Sequence, residues 1–276
     1  MKSTASMTST EAALFETTGP RAHRRIAIGT TVSVLLVITL LAWIVAQLYR
    51  HDQFDPSYWS LFADFNVWKF LAQGFVGTAR AALGAGAIAL IGGLVLMFGR
   101  ISRFAPLHWI ATAIIEFVRG TPTLLFIYFF FLVPGQFGLH MSTYWMVVIP
   151  VSLAASAALA EVYRAGISAV PGGQKEAGLS IGLTTWQNYR YIILPQMFHI
   201  VVPTMVTQLV VVVKDTTFGY VVTYPEMMQN TKVIIANYNS LLPVYLVTSL
   251  IYIVVNYAIS RAARALAYRS DAQMNS

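Results

Sequence analysis

The feature that most constrains this chain is a succession of long apolar stretches, the clearest running from Ile26 to Tyr49 without a charged residue. About 20 predominantly apolar residues cross roughly 30 Å of bilayer hydrocarbon as a helix, and a helix satisfies its own backbone groups where no water can. Five more stretches read the same way: Phe70 to Phe98, interrupted by Arg80; Ala105 to Val133, containing Glu116 and Arg119; Thr143 to Ala160; Pro195 to Val213; and Leu241 to Ser260. Phe218 to Met228 is apolar but too short to cross, and reads as interfacial or re-entrant. The expectation is an all-α integral membrane protein with six transmembrane helices. Of its 276 residues 57% are hydrophobic and 11% charged, against about 25% charged in a typical soluble domain. That excludes an ordinary solvated enzyme.

Basic residues orient such a chain, because cytoplasmic loops carry the excess of Lys and Arg. With the N-terminus inside, twelve of the 18 Lys and Arg residues fall in inside segments and four outside, leaving Arg80 and Arg119 in the membrane. Six spans with both termini inside are therefore favoured over five or seven. The net charge of +7 is an orientation signal and gives no reason to expect nucleic acid. The absence of cysteine rules out disulfides, thiolate chemistry and Cys-ligated zinc. The first span, 26–49, exceeds the apolar core of about 7–15 residues in a secretory signal and no Ala-x-Ala site follows, so it reads as a retained anchor. Residues 1–25 read as a disordered cytoplasmic tail and 263–276 as a second tail, with no internal repeat between them.

The longest inside loop, 161–194, is the most informative segment. Pro171-Gly172-Gly173 makes a turn, and Gln174 to Ile181 then forms a short helix with small residues Ala177, Gly178 and Ser180, closed by Gly182 as C-terminal cap. Thr184 with Gln187 three residues on has the form of a capping box opening a second short helix. A small-residue face permits close approach of another protein; an amphipathic connector on the membrane surface would read the same way.

The spacing adds to this. Glu176-Ala177-Gly178, Gly182, Ile192 and Leu194-Pro195 resemble the EAA loop of ABC-transporter permeases, E-A-A-x(3)-G-x(9)-I-x-L-P, with Gly178 in place of the second Ala as the one departure. Gln73-Gly74 with Thr78, Glu116-Phe117-Val118-Arg119-Gly120-Thr121-Pro122, Glu161-x-x-Arg164, and Lys214-Asp215-Thr216 are similar to further segments of the polar amino-acid importers of type I fold. The resemblance covers roughly 70–262 and leaves 26–49 as an extra helix before a five-helix core. It implies a permease subunit of the bacterial plasma (inner) membrane with no cofactor of its own. The implied partners are ABC ATPase subunits that bind ATP and dock on Glu176, Ala177, Gly178 and Gly182, a second permease subunit (identical or paralogous), an extracytoplasmic amino-acid-binding protein, and membrane lipid.

The intramembrane polar residues are the candidates for the solute pathway. Glu116 lies 11 residues after Ala105, about 16 Å along a helix, which places it and Arg119 near the bilayer midplane. Spaced i,i+3, the two could neutralise each other, either as a packing ion pair or beside a pathway. Gly120, Thr121 and Pro122 should kink or break the helix, and broken helices at mid-membrane commonly expose backbone groups to solute. Thr204 and Gln208 follow a bend at Pro203; a buried Gln208 must find a partner, either another helix or a solute. In the resembled family this position, six before the Lys of the K-D-T segment, is an acid in some importers of cationic substrates. A neutral Gln208 together with Arg80 points away from Lys, Arg or His and toward glutamate or glutamine. Arg80 could equally snorkel to the headgroups.

No G-x-x-x-x-G-K-[ST], H-E-x-x-H or G-x-S-x-G segment occurs, and His23, His51, His108, His140 and His199 stand singly. The alternatives to an ATP-driven permease are an ion-gradient transporter with Glu116 as proton relay and a non-transporting scaffold that binds a soluble partner through the 161–194 loop.

Overall fold

The computed structural model describes residues 20–274, and side chains within 22–262. The described residues form helices and turns, with no strand among them. The disordered tail expected over 1–25 lies outside the described residues as far as 19; from Pro20 the chain is helical.

Two compact units divide the chain, 1–56 and 57–276. In the first, α1 (Pro20–Arg50) is long and apolar enough to cross a membrane. Its apolar side chains stand exposed around the whole circumference, from Ile26 to Val45. A helix that is apolar on every side belongs in lipid or in a larger core.

The second unit contains α2 (Phe65–Arg100), α3 (Ala105–Gly120), α4 (Thr123–Gln136), α5 (Thr143–Ala169), α6 (Gly172–Ser180), α7 (Thr185–Asn188), α8 (Leu194–Asp215), α9 (Met227–Tyr238) and α10 (Leu241–Met274). A π-helical turn, Tyr189–Ile193, links α7 to α8, and a 3-10 segment, Thr216–Val222, follows α8. Among the described residues five helical stretches are long and apolar enough to span a membrane, or six if α3 and α4 count as one span bent by 100°. The bend lies at Thr121–Pro122, where the Gly-Thr-Pro sequence predicts a break: Pro122 cannot donate to the preceding turn. The segment expected as a C-terminal tail, 263–276, continues α10 as a helix as far as Met274.

α2 and α5 make the centre of the second unit. Ala81, Ala85 and Ala89 are fully buried one turn apart, a small-residue seam of the kind that brings membrane helices together. Farther along α2, a Cβ on Gly93 would meet Leu159 Cβ at 2.8 Å. Val147, Val148, Val151 and Ala160 of α5 fill the same core with Ile115, Ile127 and Met197.

The N-terminal half of α2 receives the segment that leads into α9. Tyr224 Oη donates to the Gly77 carbonyl at 2.9 Å, and the Met227 amide donates to Thr78 Oγ1 at 3.1 Å. Gly77 is required here, because a Cβ would lie 1.9 Å from the Pro225 carbonyl oxygen. Glu226, fully buried, caps α9 by accepting from the Met228 and Gln229 amides at 2.8 and 2.6 Å, and Tyr252 Oη donates to it at 3.2 Å. The stretch Phe218–Met228 is thus a 3-10 turn followed by a docked connection into α9.

Candidate functional site

The break between α3 and α4 forms one wall of a cavity of about 260 Å³. Arg119 and Thr121 come from the end of α3 and the break, Thr123 from the start of α4, and Gln208 and Asp215 from α8. Val118, Val211 and Val212 add apolar lining, and Ala154, Ala155 and Ala158 of α5, with their small side chains, leave the space open. Thr123 Oγ1 donates to Asp215 Oδ2 at 3.2 Å, closing the break against the end of α8. Thr121 Oγ1 returns to the Phe117 carbonyl at 2.9 Å, which stabilises the last turn of α3.

Arg119 and Asp215 make no ion pair with each other among the described residues. The Gln208 carboxamide likewise has no hydrogen-bond partner among them. The cavity therefore holds a guanidinium, a carboxylate and an amide that can each address a solute. Gln208, half-buried, lines the cavity. Gly120 and Pro122 form the bend itself, and a Cβ at Gly120 would meet nothing within 4 Å. Thr204 is exposed and does not line the cavity. Neither Asp215 nor Thr123 is a pathway candidate on the sequence; Asp215 appears there only within the Lys214-Asp215-Thr216 segment of the resemblance, and Thr123 carries no signal.

The expected Glu116–Arg119 pair is not formed. Glu116 Oε1 accepts from Arg100 Nη1 at 3.0 Å, and the same nitrogen donates to Glu161 Oε1 at 2.6 Å. Arg164 donates to Glu161 Oε2 at 3.0 and 3.2 Å, which extends the network along α5. The midplane position inferred for Glu116 is corrected for the same reason. A rise of about 16 Å measures depth only for an upright helix, whereas α3 meets the last turn of α2 at its own middle. There a Cβ on Gly99 would lie 2.8 Å from Ala111 Cβ. Glu116 thus belongs to the end of α2, and Arg119, one turn on, to the cavity.

Arg80 lies in a different cavity, of about 420 Å³, with Gln73, Tyr224, Pro225 and Asn230. It makes no ion pair among the described residues.

The loop helix has the local structure its sequence predicts. Gly182 adopts φ +86°, and the Leu183 and Gly182 amides donate to Gly178 and Leu179 carbonyls at 3.1 and 3.0 Å. This is the double hydrogen-bond pattern of a Schellman C-cap. Thr184 and Gln187 form both halves of the capping box, at 3.3 and 2.8 Å. Glu176 and Ala177 are exposed, but Gly178 is buried. The expectation that Gly178 contributes to an outward small-residue face is corrected. Its Cα faces the segment that follows in the chain, where a Cβ would meet Ile192 Cδ1 at 2.7 Å and Asn188 Oδ1 at 2.8 Å.

An all-helical membrane domain with a polar cavity at a helix break and an exposed, doubly capped loop helix has the architecture of a transport subunit. Residues 88–271 match the family described as binding-protein-dependent transport system inner membrane component. A glutamate transport system permease protein of Corynebacterium glutamicum is 30% identical over 232 residues, covering 83% of this chain and 84% of that protein. A probable glutamine ABC transporter permease protein of Bacillus subtilis is 30% identical over 203 residues, covering 72% of this chain and 93% of that protein. Among solved structures, a chain of an amino acid ABC transporter crystallised with histidines superposes with a TM-score of 0.69 at 26% identity, covering 73% of this chain and 94% of that one. An inward-facing methionine ABC transporter chain shares the fold at a TM-score of 0.58, at 20% identity and covering 78% of this chain and 98% of that one.

The chain belongs to this family of binding-protein-dependent inner-membrane permeases. It is a multi-pass inner-membrane subunit of an ATP-driven importer, working with a separate ATPase and a substrate-binding protein. That settles the choice against an ion-gradient transporter and a scaffold.

Proposed function

We propose that this permease carries polar amino acids that are anionic or neutral, of the glutamate and glutamine type, by alternating access around the cavity at the α3–α4 break. The observation that carries the reading is the convergence of Arg119, Gln208 and Asp215 on that one cavity. A zwitterion needs a cation for its carboxylate and an acceptor for its ammonium group. Arg119 offers the first as a fork of donors and Asp215 the second. Gln208 then reads the side chain: a carboxamide suits an amide or carboxylate and offers no charge to hold a lysine or arginine. Thr121 adds a hydroxyl, while Gly120 and Pro122 keep the helix open there. The relatives that carry glutamate or glutamine in their names support this class.

Two such subunits, identical or paralogous, enclose the pathway, with both termini of each on the cytoplasmic side. The ATPase docks on α6 through Glu176 and Ala177 and on the Gly182 turn, and Gly178 serves that surface from beneath. The chain lacks cysteine, so single cysteines test the orientation directly. One at Ser142 should label only from outside and one at Ser180 only from inside; reversed labelling rejects the topology.

The decisive measurement is ATP-dependent uptake across acidic, amide and basic amino acids by the assembled importer in proteoliposomes. Uptake of glutamate or glutamine is expected. A strong preference for arginine or lysine would overturn the assignment of substrate class.

A further inference from the structure

We infer that Asn188 and Gln196 clasp the loop helix α6 to the base of α8, and that Gly178 is glycine because the clasp occupies the space of its side chain. Asn188, 2% exposed, donates from Nδ2 to the Lys175 carbonyl at 2.7 Å. Gln196 donates from Nε2 to Gln174 Oε1 at 3.3 Å and to the Ile192 carbonyl at 2.9 Å. Two side chains, one at the end of α7 and one in the first turn of α8, thus hold consecutive residues of α6. The π-helical turn Tyr189–Ile193 lies between them, and such turns occur mostly as local insertions at functional sites.

Gly178 meets the same clasp from the other side. A Cβ there would lie 2.8 Å from Asn188 Oδ1 and 2.9 Å from its Cγ; the nearer Ile192 Cδ1, at 2.7 Å, is the end of a flexible side chain and can swing aside, whereas Asn188 is held. The amide tip could rotate away only by releasing the Lys175 carbonyl. Asn188 and Gly178 are therefore a reciprocal pair, in which the larger residue on one side requires the smallest on the other. The departure from the E-A-A pattern follows from it.

The consequence is mechanical. With α6 fastened to the start of α8, a force applied to α6 moves α8 as one body. α8 carries Gln208 and Asp215 to the cavity, about 30 and 40 Å along the chain from Asn188 at 1.5 Å per residue. Asn188 and Gln196 are positioning residues: they touch no solute and transmit the motion of α6. The mechanical part rests on the reading of α6 as the ATPase dock; the clasp itself does not.

Two readouts separate these. In the permease reconstituted in nanodiscs without ATPase, Asn188→Ala should speed amide hydrogen exchange across 172–181 by about fivefold, the equilibrium equivalent of one lost hydrogen bond. Gly178→Ala should do the same in the native background and add nothing in the Asn188→Ala background. In the assembled importer, amino acid transported per ATP hydrolysed should follow the same pattern at equal amounts of complex: reduced in each single variant, and no lower in Gly178→Ala/Asn188→Ala than in Asn188→Ala. Unchanged exchange in Asn188→Ala overturns the clasp. An equal added defect from Gly178→Ala in both backgrounds means that the glycine serves another surface, and overturns the pairing. Altered exchange with unaltered transport per ATP leaves the clasp standing and overturns the transmission. If no ATPase associates with the wild-type chain, it is the docking reading that fails.

Discussion

Arg100 and Glu161 are joined by a 2.6 Å hydrogen bond between the last turn of α2 and the C-terminal half of α5, 61 residues apart in sequence. Both side chains are about one-fifth exposed, at 20% and 19%. Arg100 also ends α2, where a cation complements the helix dipole. Through its further bond to Glu116 it fixes α3 against both helices, and α3 leads directly to the cavity at the break.

Removing Arg100 should therefore cost more than a surface ion pair. Arg100→Ala leaves Glu161 with Arg164 alone, and a loss of about 2 kcal/mol is expected, in the range for hydrogen bonds to charged groups. Glu116→Gln, whose side chain is 55% exposed, should cost no more than about 1 kcal/mol. Thermal unfolding in detergent ranks the two. Equal effects would show that Glu161 is not the principal partner.

Glu176→Lys reverses a charge on the exposed face of α6 and touches no core residue. The variant should reach the membrane at wild-type abundance, while uptake falls about tenfold or more through lost complementarity to the ATPase. Abundance by immunoblot and uptake in vesicles separate the two effects. Wild-type coupling would remove Glu176 from the docking surface.

Gln208→Glu places a second carboxylate in the cavity with Asp215. Uptake of lysine or arginine relative to glutamine should rise by about tenfold, equivalent to ~1.4 kcal/mol, and glutamate uptake should fall. Competition assays read the ratio. No change in selectivity would show that Gln208 does not meet the solute side chain.

Gly77→Ala forces a methyl group against the Pro225 carbonyl, which is backbone and cannot rotate away. A loss of at least about 2 kcal/mol is expected from such overpacking. Gly120→Ala meets nothing within 4 Å and should stay within about 0.5 kcal/mol of wild type. A thermal midpoint for Gly77→Ala equal to that of Gly120→Ala would contradict the close approach.

What the sequence reveals here follows from the range of the forces involved. Spans, the break at Gly120–Pro122, the Gly182 cap and the Thr184–Gln187 box are local: each depends on residues within a turn or two. Glu116 is different. Its neighbour Arg119 is three residues away, yet the crossing of α3 over α2 at Gly99 brings Arg100 to it, and no local rule contains that crossing. Gly178 misleads for a related reason, since in a nine-residue helix of mostly small and polar residues the buried side is chosen by Asn188 and Ile192 rather than by the helix's own periodicity. Arg119 and Gln208 were legible as costly groups in apolar segments. Their meeting with Asp215 required the fold.

The docking of Tyr224 and Met227 on Gly77 and Thr78 joins residues 147 and 149 positions apart, and that separation has a consequence for biogenesis. A ribosome delivers α2 long before the segment that completes it. Until the last fifth of the chain begins to emerge, the Gly77 notch stays open and Thr78 lacks its amide donor. Contacts so distant in sequence close late. The N-terminal half of α2 is then among the last parts of the helical core to acquire its final neighbours, and a nascent chain stalled before Tyr224 would present that notch to the membrane insertion machinery.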